Sequence, residues 1–182
     1  RSSAVHLSSA GHDSNHLENL DRILDDEVSF IPSGFRDFDR VNGGFFRSSL
    51  ITLAAASSSG KTALAMQLAI NIYLAGFNVC IVSMEMDEDE LWERVYSNLN
   101  SIPHDDIKLK RLSKSQKTVI RRTKEDFDAI GARAGKQFTL FVPPTDMTFA
   151  EQMAQLKHAR YDAIFFDYIN LIKPDQGGNS AS

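Results

Sequence analysis

The stretch Ser57-Ser58-Ser59-Gly60-Lys61-Thr62 places three serines, a glycine, a cation and a further hydroxyl between two apolar runs. A turn that leaves a strand and enters a helix aims several backbone N–H groups and the positive helix end at one point, and that is the chemistry of a phosphate site. In this reading Gly60 lets the backbone curl, Lys61 supplies charge for the outer phosphates, and Thr62 offers its hydroxyl to magnesium. The P-loop pattern G-x-x-x-x-G-K-[ST] is met over residues 55–62, with Ala55 in place of the first glycine. The competing reading is a serine-capped helix start with a solvated lysine. The strand predicted before the turn and the helix predicted after it favour the phosphate site.

A nucleotide site of this kind needs a carboxylate to hold the magnesium water shell, at the end of a buried strand. Residues 163–166 are a continuous apolar run, as a strand buried on both faces requires, and Asp167 ends it. Hydrolysis also needs a group that orients or deprotonates water. Glu85, just past the apolar run 78–83, falls at the same edge of a parallel sheet, where strand C-termini converge. On residue type alone Asp167 also reads as a strand-end cap and Glu85 as a loop charge.

The elements that must position these groups alternate from Leu50 onward, which predicts a parallel sheet covered by helices. Strands are expected at residues 50–55, 78–83, 138–142 and 162–167, with a helix at 62–75, apolar nearly all round and closed by Gly76. Asp87 and Glu90 predict a capping box for a helix with Leu91, Val95 and Leu99 on one face. Thr148 and Glu151 predict another, with Phe149, Met153 and Leu156 inward. Upstream, residues 1–16 read as a mobile Ser- and His-rich segment. Residues 17–30 read as a short amphipathic linker helix built on Leu17, Leu20, Ile23 and Leu24, and 31–182 as the main domain.

Composition narrows the classes. The chain has 182 residues, 42% hydrophobic and 24% charged, which suits one soluble globular domain, and a net charge of −4 gives no general attraction to nucleic acid. Residues 108–124 nevertheless hold eight of its 20 Lys and Arg residues. With no aromatics interleaved, and with Leu112, Val119 and Ile120 read as inward positions, solvated helix faces are favoured over a strand of nucleic-acid contacts. Cys80 is the single cysteine and the five histidines lack zinc spacing, so neither a disulfide framework nor a zinc site is expected, and a reducing interior is the default setting. Trp92, Phe165, Phe166 and Cys80 read as core. The longest apolar stretch, 63–75, is too short to span a bilayer.

Three stretches, "IPSGFRDFDRVNGGF", the P-loop continuing into "ALAMQLAINIYLAGFNVCIVSMEM", and "IFFDYINLI", together resemble the ATPase domain of DnaB-type replicative helicases. The likeness runs from about Ile31 to Ile172. It implies an α/β, RecA-like P-loop NTPase fold with a mostly parallel sheet and helices on both faces. It implies ATP and Mg2+ as cofactors, Glu85 as catalytic base beside Lys61, Ser57 to Thr62 around the phosphates, and Thr62 and Asp167 on the metal side. The implied partners are single-stranded or forked DNA and further copies in a hexameric ring, with primase or a helicase loader as additional candidates and no membrane. The implied setting is the cytoplasm of a bacterial or phage-infected cell, near the nucleoid, an organelle being the other option. Ala56-Ser57 stands where the family often has Arg-Pro, and Ala55 is frequent there. Members of that family continue past the aspartate that Asp167 matches, the Walker B position, with a further strand, DNA-binding loops and an arginine finger. The chain is therefore expected to be an incomplete domain that binds ATP and hydrolyses it slowly on its own. A RecA/RadA- or KaiC-like ATPase without unwinding activity, a non-catalytic nucleotide-binding assembly module and a small-molecule kinase are the rival readings.

Overall fold

A computed structural model of the chain describes residues 30–56 and 59–167. Its centre is the strand β3 (Val79–Ser83), buried at every position, with β4 (Phe138–Phe141) on one side and β5 (Ala163–Asp167) on the other, both parallel. The two earlier strands, β1 (Phe30–Ile31) and β2 (Phe45–Phe46), form a separate antiparallel pair. The helices are α1 (Arg36–Asn42), α2 (Lys61–Leu74), α3 (Glu88–Asn100), α4 (His104–Lys108), α5 (Lys114–Ala134) and α6 (Phe149–Leu156).

Alternation along β3 separates two packed layers. Val79 and Ile81 pack with Met66, Ile70 and Tyr73 of α2, Leu91 and Val95 of α3, and Phe127 of α5. Cys80 and Val82 face the other way, against Leu156 and Met153 of α6, with Phe166 and Ile164 of β5. Helices therefore cover both faces, and the α/β expectation is met. Cys80 is a core residue whose thiol is pushed up to about 12 by burial. Trp92 stacks on Tyr96 and tilts against Phe138, so it too serves the core.

The helices begin and end largely as their sequence dictates. Asp87 caps α3 by accepting from the Glu90 N–H at 2.8 Å, and Thr148 and Glu151 form the full reciprocal box on α6. Glu90 does not return the bond to Asp87; Arg94 takes its carboxylate at 2.9 Å, so the α3 box is only half made. A further box, Ser113 with Gln116, opens α5. Gly76, expected to close α2, lies one residue beyond its cap Ala75, at φ +92.

Three expectations are corrected. Residues 50–55 form no strand, and Leu50 is 93% exposed. A strand exists through its ladder; both sides of β3 are taken by β4 and β5, and this segment pairs with neither outer edge. Val119 is 53% exposed rather than inward, because the packed face of α5 runs through the half-buried Ile120, Thr123, which bonds Asn100, and Phe127, which packs on Tyr73, and Val119 falls to one side of it. Phe149 is only partly covered, resting its ring 5.6 Å from Phe166. The mobile segment and linker helix expected before Phe30 lie outside the described residues.

Asp162, at the start of β5, ties distant parts together. It accepts from the Asn78 N–H at 2.8 Å, pairs with Arg47 at 2.9 Å, and has Lys136 at 3.7 Å. Burial raises its pKa, but the Asn78 hydrogen bond and the two cations more than offset this and hold it below the usual carboxylate range. Such a group stabilises the fold above the ordinary carboxylate pKa of about 3.9, and its contribution is lost as pH falls through the lower folded value. Replacing Asp162 by Asn is expected to cost about 1 kcal/mol at pH 7, since Arg47 is partly exposed and its attraction screened. In urea titrations the gap from wild type should close on acidification below pH ~4.

Gly131 gives a second test. A Cβ there would run into the Tyr73 hydroxyl and lie 2.7 Å from the Lys136 carbonyl. Gly→Ala inside a helix ordinarily adds up to about 1 kcal/mol of stability. Gly131→Ala should instead lower it by about 1–3 kcal/mol through overpacking, read as a lower urea midpoint.

Candidate functional site

The register of β3 on β5 pairs Ser83 with Asp167, so the two strands end together. The chain leaves β3 through Met84-Glu85-Met86, a turn held by the Met84 N–H on the Asp167 carbonyl at 3.3 Å and the Met86 N–H on the buried Ser83 hydroxyl at 3.2 Å. Glu85 is thereby exposed at the sheet edge that Asp167 closes. The two carboxylates, 82 positions apart in sequence, share one end of the sheet.

The phosphate-site candidates reach that end from α2. Gly60 is the helix N-cap with φ +88, a left-handed conformation that glycine adopts at little cost. Among the described residues no side chain caps α2, and the Ser59 hydroxyl bonds the Ala56 carbonyl instead. The serine-capped helix start is therefore not what forms at Ser59, and the first-turn N–H groups keep the electrostatic character of an anion site. Lys61 and Thr62 begin the helix; Ser57 and Ser58 lie outside the described residues.

Thr62, Glu85, Met86, Glu90 and Arg94 line one pocket of about 300 Å³. The structure thus brings Thr62 of the P-loop and Glu85 of the β3 turn to a common cavity. Glu90 and Arg94 were not singled out for chemistry from sequence, Glu90 having a cap position to explain it and Arg94 nothing but its i+4 spacing from Glu90. The Arg94 hydrogen bond holds the Glu90 carboxyl below its usual range against burial, with the charges of Lys108, Arg94 and His104 adding to it. Lys108 approaches Glu90 at 3.6 Å from α4.

Asp167 is only 8% exposed, and its Oδ2 has no hydrogen-bond partner among the described residues. A buried carboxylate oxygen without a donor is costly, and it suits a donor supplied from outside, such as metal-bound water. Among the described residues no group of three or more His, Cys, Asp and Glu side chains could hold a metal ion. A divalent cation here would depend on phosphate oxygens and water together with Thr62 and Asp167, the manner that suits magnesium. No helix among the described residues is long and apolar enough to cross a membrane.

The orphaned oxygen gives a directional test. Asp167→Asn removes a buried charge, so it should raise the stability of the nucleotide-free chain by about 1 kcal/mol in urea unfolding. A loss of stability would mean that Asp167 is structurally paired.

Comparison with known proteins agrees with this geometry. Residues 30–182 match the model of the DnaB-like helicase C terminal domain. A probable plasmid replicative DNA helicase of Chlamydia muridarum is 30% identical over 168 residues, covering 90% of this chain and 35% of that protein. The replicative DNA helicase DnaB of Geobacillus stearothermophilus is 44% identical over 72 residues, which is 39% of this chain and 16% of that protein. This chain therefore spans a third or less of the length of several such relatives. In fold it superposes on a protein solved as an ATPase domain with a TM-score of 0.71 at 22% identity, covering 95% of this chain and 62% of that one. A DnaB-like replicative helicase, solved in a study of its interactions with primase, gives 0.73 at 22% identity, covering 93% and 42%. The fold is RecA-like, and the chain belongs to the DnaB-like helicase C-terminal domain family.

Proposed function

We propose that this chain is the nucleotide-hydrolysing motor domain of a replicative DNA helicase, with ATP as its nucleotide. The observation that carries the reading is the shared end of β3 and β5, which sets Asp167 beside the turn bearing Glu85, with Thr62 of the P-loop in the Glu85 pocket.

In this reading Ser57 to Lys61 and the N-terminus of α2 hold the phosphates, and Lys61 neutralises charge on the outer ones. Magnesium, when bound, shields the phosphates and would be held by the Thr62 hydroxyl and, through water, by Asp167. Glu85, exposed to the pocket, orients the attacking water and accepts its proton.

The relatives are named as replicative DNA helicases, which supports single-stranded or forked DNA as the track and the cytoplasm, near the nucleoid, as the setting. A ring of copies, six by family likeness, supplies cations from neighbours to each site. Such a contribution is worth ~10³ to 10⁵ in rate in related enzymes, so the isolated chain binds ATP and turns it over slowly. The structural relative studied with primase makes primase a candidate partner, and a loader is the other.

The test is calorimetric titration of the chain with ATP and magnesium, followed by hydrolysis measured on the protein purified from its native source, with and without single-stranded DNA. Glu85→Gln should leave the ATP dissociation constant within about threefold and lower turnover by ~10² or more. DNA should stimulate the wild type. Turnover that ignores DNA and survives the Glu85 change would leave the fold standing and overturn the function.

A further inference from the structure

Among the described residues four polar or charged side chains are buried, those of Ser33, Ser83, Gln152 and Asp167. Ser83 and Asp167 end β3 and β5 and already have a place in the site. Gln152, fully buried on α6, has none.

Its neighbours show where it lies. Along β3 the side chains of Cys80 and Val82 face α6, and the period of two carries Met84, the first residue of the turn, to the same side. On α6 the buried Leu156 packs against Cys80 and Val82, and Gln152, one turn earlier on the same face, meets Met84. The Gln152 amide nitrogen donates to the Met147 carbonyl at 3.3 Å and to the Met84 sulfur at 3.9 Å. Both partners only accept, which fixes the amide with its nitrogen toward them. Its Oε1 is buried with no hydrogen-bond partner among the described residues.

Leucine or methionine would fill this position without an orphaned acceptor, and a buried acceptor without a donor is costly. What the amide supplies in return is a bridge. Met147 belongs to the loop between β4 and α6 and Met84 to the turn between β3 and α3, two connections at the C-terminal edge of one parallel sheet. Met84 also donates its N–H to the Asp167 carbonyl and directly precedes Glu85. A methionine side chain is flexible and adopts many shapes unless something grips it.

We infer that Gln152 is a positioning residue for water activation: by gripping Met84 from the α6 layer, across the sheet from α2, it fixes the direction in which the turn presents Glu85. The inference rests on the nucleotide reading above and adds to it a residue that acts through Met84 rather than on the nucleotide.

The experiment measures kcat with single-stranded DNA, the ATP dissociation constant and the urea midpoint of the intact protein. It compares wild type with Gln152→Met, Met84→Leu and the double variant. Gln152→Met, nearly the same length, should leave the midpoint unchanged or higher and the ATP dissociation constant within about threefold, while kcat falls about tenfold. Met84→Leu should lose a similar factor, and the double variant should lose no more than either single one, because both changes break the same contact. Turnover by Gln152→Met within about twofold of wild type, a loss of ATP affinity as large as the loss of kcat, or losses that multiply in the double variant would each overturn the inference. If Gln152→Met fails to fold, Met84→Leu decides it, normal turnover again overturning it. Wild-type protein that neither binds nor hydrolyses ATP would overturn the nucleotide reading itself, an outcome distinct from normal turnover in the variants.

Discussion

The parallel pairing of β3 with β5 is the constraint on which the rest of the structure depends. Its register joins Val79 to Ala163 and Ser83 to Asp167, and a slip of one residue would turn each side chain to the opposite layer. Val79 and Ile81 would then face α6, and Cys80 and Val82 would face α2 and α3. Two packed layers of different composition fix the register far more firmly than the ladder hydrogen bonds alone. The same register brings the Asp167 carboxylate level with the turn that presents Glu85.

Chemistry at that edge is arranged against the interests of stability. Among the described residues, Asp167 keeps a buried oxygen without a donor, Glu85 and Glu90 share a pocket, and the first turn of α2 has no side-chain cap. Each would be cheaper to neutralise, and a site that awaits an anion and a cation together is a place where such costs are retained. The opposite end of the sheet is arranged for stability alone. There Asp162 satisfies the Asn78 N–H and binds Arg47, tying the β1–β2 pair to the main sheet across 115 positions of sequence.

Family membership and local geometry support different parts of the functional reading. The family match assigns the domain, and the structural superpositions, at 22% identity, assign the fold. Neither says which side chains meet. That comes from the pocket itself, where Thr62 and Glu85 meet two residues, Glu90 and Arg94, that no motif had marked.

Much of the fold was legible in the sequence because it is encoded in short windows. Apolar period and capping residues located α2, α3 and α6, continuous apolar runs located β3 and β5, and residue types at the strand ends marked Glu85 and Asp167 as candidates. Tertiary structure decided what depends on groups far apart in the chain. Residues 50–55 have the composition of a strand yet no ladder, since pairing requires an open edge in register. Val119 sits outside because it falls to one side of the α5 face that carries Ile120, Thr123 and Phe127. Glu90 answers Arg94 and Lys108 rather than its own helix cap, because the attraction of two nearby cations outweighs one backbone N–H, and the fold alone brings Lys108 within reach.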